Sequence, residues 1–289
     1  MAVHGLLNID KPPGLTSFQV VAQVRRLSGE KRVGHAGTLD PLASGVLPVG
    51  VGQGTRVLPY FLGLPKRYRA EVELGASTDT YDARGRTTSR GDFSAITQGE
   101  VEQALAPFRG RIAQRPPPFS ALKLQGRRLY ELARQGKPTQ PPQRWVQVYE
   151  LKLVDFSLPL VRLEVECGRG FYLRSLAHDL GQALGCGGHL RALVRLRYGP
   201  FSWEEAVPLP QLNIPAHLLP LDAPLQALPP VSLREEEAQA VVRGQALALP
   251  QEAREGQRFR AYGPQGLLLA VLRWEGGRLR PEKVFASFS

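Results

Sequence analysis

Residues 34–47 read GHAGTLDPLASGVL, and they place a single carboxylate, Asp40, among glycines and small apolar side chains. Gly34, Gly37 and Gly45 permit backbone angles that other residues avoid, and Pro41 fixes φ directly after the carboxylate. The stretch therefore reads as a loop shaped to present a group rather than merely to join two elements. An isolated Asp-Pro is ordinarily a turn or a cap. The meaning of Asp40 thus depends on what the rest of the chain supplies.

On the N-terminal side, Thr16 or Ser17 precedes the helical stripe Val20, Val21, Val24 and Leu27, so a capped helix is expected to lead into the loop. On the C-terminal side, residues 66–74 alternate, with Tyr68, Ala70, Val72 and Leu74 facing inward and Arg67, Arg69, Glu71 and Glu73 outward. Thr97 and Glu100 form a capping box for a helix with Val101, Ala104, Leu105 and Phe108 inward. Strands are expected at 145–156 and 161–167, followed by the corner Gly168-Arg169-Gly170. The segment Phe171-Tyr172-Leu173-Arg174 then opens a helix along Leu173, Leu176, Leu180 and Leu184 that stops at Gly185. Strands and helices do not alternate regularly, which favours an α+β domain around a mixed or antiparallel sheet.

Prolines crowd residues 208–230 and mark a stiff connection. Beyond it, Ser232 and Glu235 are expected to form another capping box. Strands follow at 258–262, 267–274 and 279–285, with a Gly276-Gly277 turn, giving a small β-rich domain of about 60 residues.

The formal charge is +11 with a pI near 10.0, which points to a polyanionic partner, either nucleic acid or an anionic membrane surface. Much of that charge lies in residues 109–144, where Arg109, Arg111, Arg115, Lys123, Arg127, Arg128, Arg134, Lys137 and Arg144 face the single acid Glu131. Pro116-Pro117-Pro118 and Pro141-Pro142 bracket an amphipathic run at 122–133, and Phe119 and Tyr130 are interleaved among the bases. Such a segment suits a protruding arm that grips a phosphate backbone and stacks on bases. Arg191, Arg195 and Arg197 form a further basic cluster. With 30 arginines and 7 lysines, the balance favours bidentate phosphate contacts.

Other chemistries find little support. No Gly-Lys-Ser or Gly-Lys-Thr exists for a P-loop, Thr55 breaks a dinucleotide fingerprint at 50–55, and no Gly-x-Ser-x-Gly elbow occurs. The five histidines, at 4, 35, 178, 189 and 217, lack metal-ligand spacing, and Cys167 and Cys186 read as packing residues. No run of eighteen apolar residues is present, and the N-terminus MAVHGLLNIDKPPG lacks a basic n-region and an apolar h-region. A soluble, cytoplasmic protein is the expectation.

What remains is one carboxylate, one inward tyrosine, an arginine just past a glycine-rich corner and a basic aromatic arm. A carboxylate can attack or stabilise an electron-poor sugar or base carbon without a metal, so the set suits chemistry on a nucleoside within RNA. The tyrosine would stack on an extruded base and the arginine would orient the carboxylate. A non-catalytic tRNA-binding or RNA-folding protein would use the same arm and C-terminal domain.

At this point the motifs Asp10-Lys11-Pro12-Pro13-Gly14-Leu15-Thr16-Ser17, GHAGTLDPLASGVL, Lys66-Arg67-Tyr68, 78–85, Pro118-Phe119-Ser120-Ala121-Leu122-Lys123 and Gly170-Phe171-Tyr172-Leu173-Arg174 resemble, in order, the TruB family of bacterial tRNA pseudouridine-55 synthases. The resemblance implies isomerisation of a uridine in the T-arm loop of tRNA after base flipping, with no cofactor and no metal; a monomer is the simplest expectation. It implies Asp40 as nucleophile, Tyr68 stacked on the target uracil, Arg174 paired with Asp40, and Tyr172 and Leu193 lining the pocket. His35 would fill the space left in the RNA, and Lys11 and Asp82 would join the substrate site. Phe119, Lys123, Arg127 and Arg128 would belong to the RNA-gripping arm. It further implies a catalytic pseudouridine synthase domain at 1–228, with the arm inserted at about 109–144. Residues 229–289 would form a PUA-like RNA-binding domain that reaches the acceptor stem.

Overall fold

The computed structural model describes residues 3–120, 123–124, 127–128, 141–248 and 253–285. Its centre is a 10-stranded mixed sheet. The main path runs Val207–Pro208, Gly5–Lys11, Ser44–Val51, Gly188–Tyr198, Lys66–Leu74, Leu160–Cys167, Arg144–Ser157, Gly110–Gln114. Two short strands lie off this path: Val33–His35 pairs with Ser44–Val51, and Phe201–Ser202 with the end of Gly188–Tyr198. Neighbours are antiparallel except Gly5–Lys11 with Val207–Pro208 and Ser44–Val51 with Gly188–Tyr198. The α+β reading therefore holds, with a mostly antiparallel sheet.

Alternation along Lys66–Leu74 survives intact: Lys66, Tyr68, Ala70, Val72 and Leu74 are buried and the residues between them are not. Helix Ser17–Ser28 is capped by Thr16, whose side chain accepts from the Gln19 amide while Gln19 reaches back to the Thr16 backbone. Val20, Val21 and Val24 pack into the core, but Leu27, read as part of the same stripe, is 51% exposed at the last turn. Thr97 and Glu100 form the expected capping box of helix Gln98–Leu105. Helix Leu173–Ala183 has no side-chain cap at Tyr172. Its entry is held instead by Gln114 of the edge strand, which accepts from Tyr172 N at 2.8 Å and donates to Tyr172 O at 3.0 Å. Together these helices and the inner sheet face form one core containing Leu7, Val20, Val24, Leu47, Val72, Leu163, Leu176 and Leu180.

Several expectations change. Strand Ser44–Val51 takes its first four residues from what the sequence presents as loop. From Gly45 onward every residue of it is buried, so it carries no alternation to mark it. The basic cluster at 191–197 is dispersed by strand Gly188–Tyr198: Arg191 and Arg197 face outward, whereas Arg195 is fully buried. Ser232 does not cap a helix; it ends strand Pro230–Ser232, and helix Glu235–Val242 starts from Arg234, whose backbone amide donates to Glu237 at 2.8 Å. The chain needs those two extra residues because Pro230–Ser232 pairs parallel with Arg258–Tyr262.

The strands Pro230–Ser232, Arg258–Tyr262, Leu268–Glu275 and Arg278–Val284 form a separate 4-stranded sheet with its own core of Val231, Leu233, Ala238, Val241, Phe259, Leu272 and Leu279. Gly276 and Gly277 both take positive φ at its last turn, as the turn chemistry requires. This sheet docks on the large one through Val271 and Phe285, which meet Val57, Phe61, Tyr198 and Leu225. Tyr262 Oη donates to Asp222 at 2.7 Å and Tyr60 Oη to Glu282 at 3.1 Å across the same junction. Both cysteines are buried and free, and burial pushes the Cys167 thiol up to about 12, consistent with packing. No helix among the described residues is long and apolar enough to cross a membrane.

Candidate active site

Asp40 stands in the connection between strands Val33–His35 and Ser44–Val51, with its side chain 41% exposed. The backbone beneath it is fastened to the entry of helix Ser17–Ser28. Ser17 Oγ donates to Leu39 O at 3.2 Å and accepts from Leu39 N at 2.9 Å, and Gly14 N donates to Pro41 O at 2.7 Å. Ala43 N closes a turn on Asp40 O at 3.0 Å. The two motifs that flank the helix in sequence are thus one structural unit.

Arg174, in the first turn of helix Leu173–Ala183, brings its Nε to 2.9 Å from Asp40 Oδ2. Its side chain is 7% exposed, so the pair lies at the edge of the core with the carboxylate toward solvent. Nη1 of the same guanidinium donates to Phe119 O at 3.0 Å and Thr80 O at 3.3 Å, and lies 3.8 Å from Asp82 Oδ2. Asp82 also shapes its own turn, accepting from Thr80 Oγ1 at 2.8 Å and Arg84 N at 3.0 Å. Tyr81, between them, is a non-glycine residue at φ +63°, with its ring stacked on His178 at 3.8 Å. Three segments distant in sequence meet on this one arginine.

The carboxylate opens into a cavity of about 410 Å³, lined by Thr38, Tyr68, Tyr172, Leu193, Arg174 and Lys66 among others. That volume falls in the usual range for a small organic ligand, roughly 300–1,000 Å³. Tyr68 is buried on the wall, and burial raises its phenol away from ionisation. Tyr172 is half-buried, and burial shifts it the same way. A planar base could therefore meet neutral aromatic surface on one side and the carboxylate on another.

Beneath the loop lie three buried cations. Lys66 and Arg195 sit 4.6 Å and 5.0 Å from the ring centroid of Tyr198. Burial brings the Lys66 ammonium down to about 8, and the Arg195 charge adds to that. Lys11 is likewise brought down to about 8 by burial, partly countered by Asp40. Its ammonium donates to Pro12 O at 2.8 Å and Leu15 O at 2.7 Å, so it braces the loop before the helix. Among the described residues Lys11, Lys66 and Arg195 make no ion pair within 4.0 Å.

Asp40, Tyr68, Tyr172, Arg174 and Leu193, all named from the sequence, are therefore brought to one cavity. Asp82 reaches it only through Arg174, and Lys11 lies under the loop. His35 does not line the cavity; it is on strand Val33–His35 with Nδ1 buried and without a hydrogen-bond partner, and burial holds its imidazole neutral near pH 7. Phe119 contributes its carbonyl at the root of the arm. Lys123 pairs with Arg128 and Leu124 with Arg127 in a two-stranded backbone pairing, while the rest of the amphipathic run and all side chains from 121 to 140 lie outside the described residues. Sequence reasoning missed Lys66, Arg195 and Tyr198. For Lys66 the signal was present, since it shares the inward phase of Tyr68; for Arg195 a bulge between 195 and 197 broke the alternation. Among the described residues, no group of three or more His, Cys, Asp and Glu side chains could hold a metal ion.

Comparisons with known proteins bear on this geometry. Residues 25–173 match the TruB family pseudouridylate synthase N-terminal domain, 174–226 the tRNA pseudouridylate synthase B C-terminal domain, and 228–286 the tRNA pseudouridine synthase II C-terminal domain. Proteins named tRNA pseudouridine synthase B are similar over most of the chain. One from Dehalococcoides mccartyi is 42% identical, covering 99% of this chain and 97% of its own, and one from Syntrophomonas wolfei is 44% identical, covering 93% of each. Among solved structures, a chain of a Cbf5-Nop10-Gar1 complex superposes with a TM-score of 0.76 at 28% identity, covering 98% of this chain and 85% of that one. A chain of an H/ACA RNP bound to a substrate RNA containing 2′-deoxyuridine gives 0.75 at 26% identity, with the same coverage. With family segments matched from residue 25 to 286, the chain belongs to the TruB family of pseudouridine synthases.

Proposed function

We propose that this protein converts a uridine of tRNA, at position 55 in the T-arm loop, into pseudouridine, with Asp40 as the nucleophile. The observation that carries this reading is the Asp40–Arg174 pair at 2.9 Å, standing at the mouth of a cavity walled by Tyr68, Tyr172 and Leu193. The relatives that share 42–44% identity are named tRNA pseudouridine synthase B, which supports pseudouridine formation in tRNA. Uridine is buried in folded RNA, so the base leaves the stack before it enters the cavity, where Tyr68 stacks on it. Asp40 bonds to C1′ as the N1–C1′ glycosidic bond breaks and the electron pair leaves with N1. The uracil turns against the aromatic wall, C5 bonds to C1′ as the carboxylate departs, the C5 proton leaves to water and N1 takes a proton up. Arg174 fixes the direction of the carboxylate, and the surrounding apolar wall keeps water from the separated fragments.

The basic arm at about 109–144 and the small domain at 229–289 extend the RNA contact to the T arm and acceptor stem, with 1–228 as the catalytic unit of a cytoplasmic monomer. The excess of +11 fits a polyanionic substrate. Release of tritium from 5-tritiated uridine in a T-arm RNA tests the reading. Wild type is expected to release it stoichiometrically and Asp40→Asn to release none while still binding the RNA; normal release by the variant sinks the role of Asp40.

A further inference from the structure

Arg195 is fully buried, and its hydrogen bonds run to the loop that carries Asp40. Its Nε donates to Val46 O at 2.6 Å and its Nη2 to Gly37 O at 2.9 Å. Gly37 precedes Asp40 and Val46 follows it, so one guanidinium joins the two sides of the loop across its neck. The backbone meets the same residue. Gly45 is in register with Arg195, and a Cβ at Gly45 would stand 2.3 Å from Arg195 O. A Cβ at Gly37 would stand 2.7 Å from Cε1 of Tyr198, the ring that carries the Arg195 charge. Both glycines also take positive φ, at +59° and +95°. The glycine brackets of the opening motif are thus close-approach sites for one strand segment, Arg195 to Tyr198.

Burying a guanidinium without a carboxylate is costly, and an apolar residue of similar volume would pack there without the penalty. Nη1 is buried without a hydrogen-bond partner, which deepens that cost. We propose that Arg195 is a positioning residue for Asp40: its fork closes the loop neck and sets where the carboxylate stands against Arg174 and Tyr68. The proposal rests on the reading of Asp40 as nucleophile. Lysine offers a point charge on a flexible stem and cannot hold both carbonyls in one plane, and methionine fills the space and holds neither.

The test measures the single-turnover rate of tritium release from a 5-tritiated T-arm RNA, and the Kd for the same RNA, in wild type, Arg195→Lys and Arg195→Met. Both variants are expected to lose about a hundredfold in rate, the cost of a roughly 1 Å misplacement, with Kd unchanged. Gly45→Ala leaves Arg195 intact but pushes the loop off its backbone, so it must show the same split between rate and Kd. A wild-type rate from Gly45→Ala or from a folded Arg195 variant overturns the proposal, as does a parallel loss of rate and RNA affinity. Absence of release by the wild-type protein would instead sink the assigned activity, and the two failures are distinct.

Discussion

Strands Lys66–Leu74 and Gly188–Tyr198 carry cations on both faces, and the two faces treat charge in opposite ways. Outside, Arg67 and Arg69 meet Glu164 at 2.7 and 2.8 Å, Arg162 meets Glu71 at 3.0 Å, and Arg191 meets Glu71 at 3.4 Å and Glu73 at 2.6 Å. These form a cross-strand ladder on a half-wet surface. Inside, Lys66 and Arg195 share one aromatic ring, and Arg195 meets backbone carbonyls and the Tyr68 hydroxyl rather than a carboxylate. Ladder charges are neutralised where they sit and each is nearly exchangeable. Charges under the Asp40 loop are kept against their solvation, an arrangement that clusters at functional sites.

Arg174 should give the largest separation between the faces. Arg174→Met removes the cation from Asp40 and Asp82 and leaves Phe119 O and Thr80 O without their donor. The single-turnover rate is expected to fall by two to three orders of magnitude, the usual cost of a lost preorganised donor, roughly 10²–10³-fold. If the variant keeps its rate, inner and outer arginines stand on the same footing and the contrast fails.

Lys66→Met gives a smaller effect of the opposite sign, on stability. The Lys66 ammonium titrates near 8 in the folded chain against an ordinary 10.5, so between those values the folded state binds fewer protons than the unfolded one. Its burial cost is complete below pH 8 and fades as pH rises through 10.5. Lys66→Met is therefore expected to stabilise the protein at pH 7 by an amount on the order of 3 kcal/mol. That gain should vanish near pH 10.5 in paired thermal melts. A destabilised variant at pH 7 would mean that Lys66 is compensated.

The outer face was legible in the sequence because it alternates: Arg67, Arg69, Glu71 and Glu73 announce a wet side, and Tyr68 declares itself inward by the same phase. Thr16 and Thr97 were legible as caps because their chemistry is local. Asp40 and Arg174 could be named, yet their meeting depends on Gln114, Ser17 and Gly14 tying four segments together, and no local pattern encodes such long-range hydrogen bonds. Arg195 was read only as one of a basic cluster, because a bulge shifts the phase between it and Arg197. Strand Ser44–Val51 hid because burial on both faces removes the polar half of the pattern.

The smallest effect belongs to the ladder itself and completes the comparison in pH. Glu164 accepts from Arg69 and Arg67, and those bonds, Arg69's first, hold its carboxyl below the usual 4.5. A carboxylate with a depressed folded value contributes stability above its unfolded value and loses it as pH falls through the folded one. Arg69 is half-exposed, and Arg67 still pairs with Glu164 once Arg69 is gone. Arg69→Gln is expected to cost no more than about 0.5 kcal/mol at pH 7, to cost nothing in acid below the Glu164 transition, and to leave tritium release unaltered. Denaturant melts at both pH values check it. The ladder loses its contribution toward acid, whereas the buried lysine sheds its penalty toward alkali, so the two faces are told apart by the direction in which each responds. A loss of activity in Arg69→Gln would break that division, because it would show the outer face acting on the loop through the sheet.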